Sequence, residues 1–153
     1  MNKTFTLMVS VFIAVFFFGC KKDDTVINIP CVQLTNTEIL VQKDWQIDEL
    51  WKNDGGVNTH FVRGGVNTTG TSYENMRFHF NTEGTGSYTD EVSTIHTLDW
   101  SYNTSDERNM TLNIGPPFAN VFIWNMIELK NNFMHNTSPY GGGLISIRYI
   151  QVP

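Results

Sequence analysis

The chain predicts an all-β domain, an antiparallel meander of about eight strands arranged as a sandwich or a barrel. Three observations carry that expectation. From Asp44 onward, apolar and polar residues alternate in one short segment after another, which is the period of half-buried strands. The segments recur at intervals of roughly 8–14 residues, and Gly, Asn, Asp or Pro separates them. No helical period long enough to cross between parallel strands intervenes, which sets aside an α/β sheet.

Taken in order, Thr35-Asn36-Thr37-Glu38-Ile39-Leu40 offers an N-cap and a first-turn acid ahead of two aliphatics. It predicts a short helix ending before Asp44. Asp44 to Trp51 is the first strand, with Trp45, Ile47 and Trp51 sharing a face that Glu49 interrupts. A buried carboxylate needs a partner, so Glu49 either orients a ligand or lies at an open rim in water; the rim is the expectation. Asn53-Asp54-Gly55-Gly56 is a turn. Residues 57–72 are rich in Gly, Thr and Asn and read as the least ordered part, with His60-Phe61-Val62-Arg63 as a short strand inside. Tyr73 to Phe80 is a strand with Met76, Phe78 and Phe80 on one face, and Asn81-Thr82-Glu83-Gly84 turns it back into Thr85–Asp90.

Ile95 to Asn103 alternates again, with His96, Leu98, Trp100 and Tyr102 together. Met110, Leu112 and Ile114 form the inner set of the next strand, which Gly115-Pro116-Pro117 ends because proline cannot donate to a ladder. Val121 to Leu129 is a strongly apolar strand. Phe133 to Asn136 is a short one, Pro139 to Gly143 a glycine-rich loop, and Leu144 to Val152 the β-branched closing strand.

The N-terminus is of a different character. A head carrying Lys3 precedes the apolar run Phe5–Phe18, the layout of a secretory signal peptide and too short to span a bilayer. The run ends at Gly19-Cys20, which resembles the lipobox of bacterial lipoproteins, although Phe17 and Phe18 stand where that family usually has Leu and a small residue. The resemblance implies cleavage before Cys20 and acylation of its thiol and new amine, and several acyl chains make a stable membrane anchor. The organisation expected is a signal peptide at 1–19, a lipidated tether at 20–33 and a β-domain at 34–153. Lys21-Lys22-Asp23-Asp24 is either a solvated tether or the Lys-plus-acidic signal, which it resembles, that sends some lipoproteins to the outer face of the outer membrane. Asp24-Thr25-Val26 resembles a bacterial O-glycosylation motif, with Thr25 as its acceptor.

Removing residues 1–19 from the 153 leaves 134, a single domain's worth, with 9 basic against 15 acidic residues and a net charge of −6. An acidic surface repels phosphate backbones, which excludes nucleic acid as a partner. With Cys20 acylated, Cys31 stands alone without a thiolate-stabilising setting and reads as inert.

The run Lys43-Asp44-Trp45-Gln46-Ile47 after a short helix resembles the opening of lipocalin-like domains in bacterial lipoproteins. Met76-Arg77-Phe78-His79-Phe80-Asn81-Thr82-Glu83-Gly84-Thr85-Gly86 is similar to their second landmark, and Leu98-Asp99-Trp100 and the closing strand also fit. The Gly-x-Trp of true lipocalins is incomplete, since Gln42 and Asp44 precede Trp45. The resemblance covers roughly residues 34–153 and implies an up-and-down barrel of about eight strands. Such a barrel is filled by its own side chains or holds one small ligand. The inward sets offer Trp45, Trp51, Phe78, Phe80, Trp100, Tyr102, Phe122 and Trp124 either as the lining of a cavity for an apolar or flat ligand or simply as core.

His60, His79, His96 and His135 have no metal-ligand spacing, and no nucleophile–base motif, P-loop or dinucleotide fingerprint is present. The four Asn-x-Ser/Thr matches, at Asn67, Asn103, Asn109 and Asn136, read as Asn/Thr-rich loops and strands. The expectation is a non-catalytic, lipid-anchored outer-membrane protein, without cofactor or metal, that binds a small apolar ligand or a surface partner. Two alternatives stand beside it: an accessory or inhibitor-like protein with a fully packed barrel, and a hydrolase whose site is assembled across strands.

Overall fold

The computed structural model describes residues 33–116 and 120–152. The leader, Cys20, Thr25 and Cys31 lie outside the described residues, as does the tether but for Gln33.

Helix α1, Asn36–Leu40, starts as its sequence predicts. Thr35 closes a capping box with Glu38: Glu38 N donates to Thr35 Oγ1 at 3.2 Å, and Thr35 N donates to Glu38 Oε2 at 2.7 Å. The helix buries Ile39 and Leu40, and Trp45 Nε1 donates to the Leu40 carbonyl at 2.8 Å. That bond ties the helix to the first strand.

Nine strands follow: β1 Trp45–Asp54, β2 Val57–Val62, β3 Arg77–Phe80, β4 Thr85–Thr89, β5 Ile95–Tyr102, β6 Asn109–Ile114, β7 Asn120–Lys130, β8 Phe133–Tyr140 and β9 Gly143–Gln151. Each strand from β3 on pairs antiparallel with the next, and β9 returns to β1 from Trp45↔Gln151 to Asn53↔Leu144, so the sheet closes. β3 pairs with the start of β1 (Trp45↔Phe78), while β2 pairs with its second half (Glu49↔Val62 to Asp54↔Val57). The two share one position, and the barrel is a closed antiparallel eight-strand meander.

Residues 57–72 correct the sequence reading. Val57–Val62 is a regular strand, and the excursion from 63 to 76 is ordered by Arg63. Its Nε donates to the Ile47 carbonyl at 2.7 Å and its Nη1 to Glu74 Oε2 at 2.9 Å, while Gly64 N donates to Glu74 Oε1 at 2.9 Å. Because Glu74 is held there, Tyr73 and Met76 turn off the predicted strand, which starts only at Arg77. The glycine-rich loop at 139–143 is also shorter than expected: β8 runs through Pro139 to Tyr140, and Gly141-Gly142 alone make the turn.

A second correction concerns β1. Its register against β9 shifts between Ile47 and Glu49, a bulge that inserts one residue and exchanges the two faces beyond it. Trp45 and Ile47 point inward before it. After it Leu50 is inward, 1% exposed, while Glu49 and Trp51 face outward, with Trp51 50% exposed.

The core fills the end of the barrel that α1 covers. Trp45, Phe80, Leu98, Met110, Leu112 and Met134 are each buried there. Trp100 Nε1 donates to the carbonyls of Thr85 (3.0 Å) and Asn81 (3.2 Å). Gly86 in β4 is required by this packing, because a Cβ would collide with the His79 carbonyl across the strand.

Candidate functional site

The opposite end is not filled. A cavity of about 200 Å³ lies inside the barrel there. Ile47 and Leu50 of β1, Ile114 of β6, and Ile145 and Ile147 of β9 form its aliphatic wall, and Tyr73 and Met76 enter it from the excursion that Arg63 clamps. Its aromatic wall is built around Phe78. The Phe78 ring lies 4.9 Å from Tyr88, 5.0 Å from Trp124 and 5.8 Å from Tyr149, and the Trp124 and Tyr149 rings are 5.2 Å apart. Phe122 and Tyr140 line the cavity and are 39% and 42% exposed, so it reaches solvent between them. Lys52 stands at this mouth, with Nζ 4.0 Å above the Tyr140 ring.

The eight aromatic residues proposed from sequence separate into three groups. Phe78, Phe122 and Trp124 line the cavity. Trp45, Phe80, Trp100 and Tyr102 belong to the packed end, with Tyr102 only partly buried against it. Trp51 is outside the barrel, where the β1 bulge puts it, stacked on His60 with ring centroids 3.5 Å apart. Tyr73, Met76, Tyr88 and Tyr149 escaped the sequence reading. Tyr88 and Tyr149 occupy inward positions of their strands, a signal that alternation does carry; Tyr73 arrives from a loop and has no such signal.

Neither the cavity wall nor its floor holds a charged side chain among the described residues. Burial raises the phenol pKa of Tyr73, and raises those of Tyr88 and Tyr149 further, as expected where an anion would lose its hydration. Two polar groups at the floor are unusual. The Asn136 carboxamide and the Tyr149 hydroxyl are buried, and no atom of either completes a hydrogen bond. Leaving such a group unpaired costs about 1–3 kcal/mol.

The titratable clusters lie elsewhere. On the outer face, Glu49 Oε1 accepts from His60 Nε2 at 3.0 Å and from Trp51 Nε1 at 3.1 Å, and Oε2 accepts from Arg148 at 2.9 Å. The His60 contact leads in holding the Glu49 carboxyl below its ordinary pKa. The expected position of Glu49 at an open rim is thereby corrected: it is a partnered carboxylate on the outer wall. His79 pairs with Asp44 at 2.7 Å, and His135 with Ser146 at 2.8 Å. His96 and Asp90 form a buried pair at the β4–β5 turn, 2.8 Å apart, and Asp90 Oδ1 also accepts from Val92 N and Thr94 N. The four histidines thus sit in four separate pairs. Among the described residues no group of three His, Cys, Asp or Glu side chains is placed to hold a metal ion.

An eight-strand barrel is wide enough to be filled by side chains or to hold one small ligand. This one does the first at its closed end and has room for the second at the other. No family model and no curated protein matches the chain. Among solved structures, a lipocalin-like protein from Bacteroides uniformis is similar, with a TM-score of 0.47 and 10% sequence identity, covering 73% of this chain and 98% of that one.

Proposed function

We propose that the domain binds one small, flat, largely apolar molecule inside the barrel, without chemistry, while a lipid at Cys20 holds the protein to the outer membrane. The observation that supports binding is the aromatic cavity beside a fully packed second end. Its size limits the occupant. Drug-sized ligands fill roughly 300–1,000 Å³, whereas an apolar cavity of about 150 Å³ accepts benzene. A volume of about 200 Å³ therefore suits a one- or two-ring molecule and not a long acyl chain.

The fully packed accessory barrel is disfavoured by that same volume. The hydrolase reading needs a carboxylate–histidine pair in the cavity, and the Glu49–His60 pair lies on the outer wall. The lipid anchor, the tether over residues 20–33, display at the cell surface and a sugar on Thr25 belong to this proposal on the strength of the N-terminal sequence. They explain why a ligand-binding barrel would follow a short, charged stretch. A protein partner at the surface is left to the loops at the open end.

Binding is tested by titrating the purified protein with cumene and following backbone amide shifts. Saturable shifts at Phe78, Trp124 and Ile147, with none at Trp51, are expected; no saturable shift at any cavity residue overturns the reading. The anchor is tested by intact mass of the membrane-extracted protein beside Cys20→Ala. A mass equal to an acylated chain starting at Cys20, lost in the variant, supports it, and an unacylated soluble product removes it.

A further inference from the structure

The floor of the cavity is chemically unlike its walls. Among the described residues four side chains bury polar atoms without a hydrogen-bond partner, and two of them, Asn136 and Tyr149, stand side by side on β8 and β9. Asn136 is completely buried, and both its Oδ1 and its Nδ2 are unpaired. It faces inward between Met134 and Ser138 and pairs across the strands with Ile147, which, like Ser138, lines the cavity. Tyr149 is on the same face two residues beyond Ile147, and its ring forms part of the cavity wall. The carboxamide is close enough to offset part of the rise that burial imposes on the Tyr149 phenol.

We infer that the cavity floor is a recognition site for a planar, uncharged group that carries a hydrogen-bond donor beside an acceptor, as in a primary carboxamide, a lactam or a protonated carboxylic acid. The ligand enters polar end first. This rests on the cavity being a ligand site and adds the chemistry of what it takes.

A carboxamide side chain presents one acceptor and two donors in a single plane. A second amide pairs with it through two antiparallel N–H···O bonds, and the Tyr149 hydroxyl supplies a third contact. The flat remainder of the ligand then lies against Phe78 and Trp124, toward the mouth. A purely apolar occupant would leave all three polar atoms unpaired, and cavities that stay empty of water are apolar ones. A charged head is excluded for a different reason: no opposite charge lines the cavity among the described residues, and an ion there would be buried without a partner.

The test uses benzamide and cumene, which have the same number of non-hydrogen atoms and differ only in the head. Dissociation constants are measured by shift titration on the wild type, Asn136→Leu and Tyr149→Phe. Leucine keeps the shape of asparagine and removes its polarity. The ratio of the benzamide constant to the cumene constant is expected to rise about tenfold in Asn136→Leu and several-fold in Tyr149→Phe, with cumene bound at least as tightly as before. If Asn136→Leu fails to fold, Tyr149→Phe decides alone. An unchanged ratio, with cumene still bound, means that water satisfies the floor; it overturns the head-group assignment and leaves the cavity reading intact. Failure of the wild type to bind either compound overturns both.

Discussion

The two ends of the barrel are built from the same kinds of residue and reach opposite outcomes. At the closed end Trp45 and Trp100 are buried with their indole N–H groups bonded to backbone carbonyls, and α1 seals the opening with Ile39 and Leu40. At the open end Trp124 and Tyr149 are just as buried, yet they enclose space, and the Tyr149 hydroxyl and Asn136 amide are unpaired. Aromatic content does not separate a core from a site. What separates them is whether a plug is present and whether each polar atom finds a partner within the chain.

The comparison assigns stability to the closed end, and the largest effect should fall there. Trp45→Ala removes a fully buried ring and its bond to Leu40, and a loss of about 3–5 kcal/mol is expected, seen as a melting temperature lower by roughly 10–20 °C. A small shift would mean that the closed end is not what holds the barrel together. Gly86→Ala forces a Cβ against the His79 backbone and should cost about 1–3 kcal/mol in denaturant unfolding.

Asp90 sharpens the contrast from the open end. The hydrogen bond from His96, followed by those from Thr94 N and Val92 N, holds its carboxyl below the ordinary range. A carboxylate depressed in this way stabilises the fold at every pH above its unfolded value, and the contribution is lost as the pH falls through its folded value. Asp90→Asn should therefore lower the melting temperature at neutral pH, and the gap to wild type should close under acid. A gap that stays constant with pH would show that the Asp90 charge is not responsible.

Smaller stability effects are expected at the cavity and on the outer wall. Ile114→Phe directs a larger side chain into the space and should change stability by less than about 1.5 kcal/mol while weakening cumene binding at least tenfold. Trp51→Ala should cost less than about 1 kcal/mol and leave cumene binding alone, since its ring stacks on His60 outside the barrel. If Trp51→Ala altered binding as strongly as Ile114→Phe, the division between wall and site would fail.

Much of this architecture was legible in the chain. Alternation located nearly every strand, and the capping box of Thr35 and Glu38 located the helix, because both are decided within a few residues. Trp51 shows where local reading stops. Its even spacing from Trp45 is real, but a bulge set by pairing with β9, about a hundred residues away, exchanges the faces beyond Ile47. The order in residues 63–76 escaped for the same reason, since Arg63 creates it by reaching the carbonyl of Ile47 and the carboxylate of Glu74.

By itself, then, the sequence determined the all-β class, the order of the strands, the capped helix and the acidic, aromatic-rich character of the domain. These follow from period, turn chemistry and composition, which are local or additive. Only the tertiary structure decided that β2 and β3 share one position, that β9 closes on β1, and that Phe78, Phe122 and Trp124 border space while Trp45, Phe80 and Trp100 do not. A cavity is what remains after every side chain has been packed in three dimensions, so no segment of the chain carries its signature.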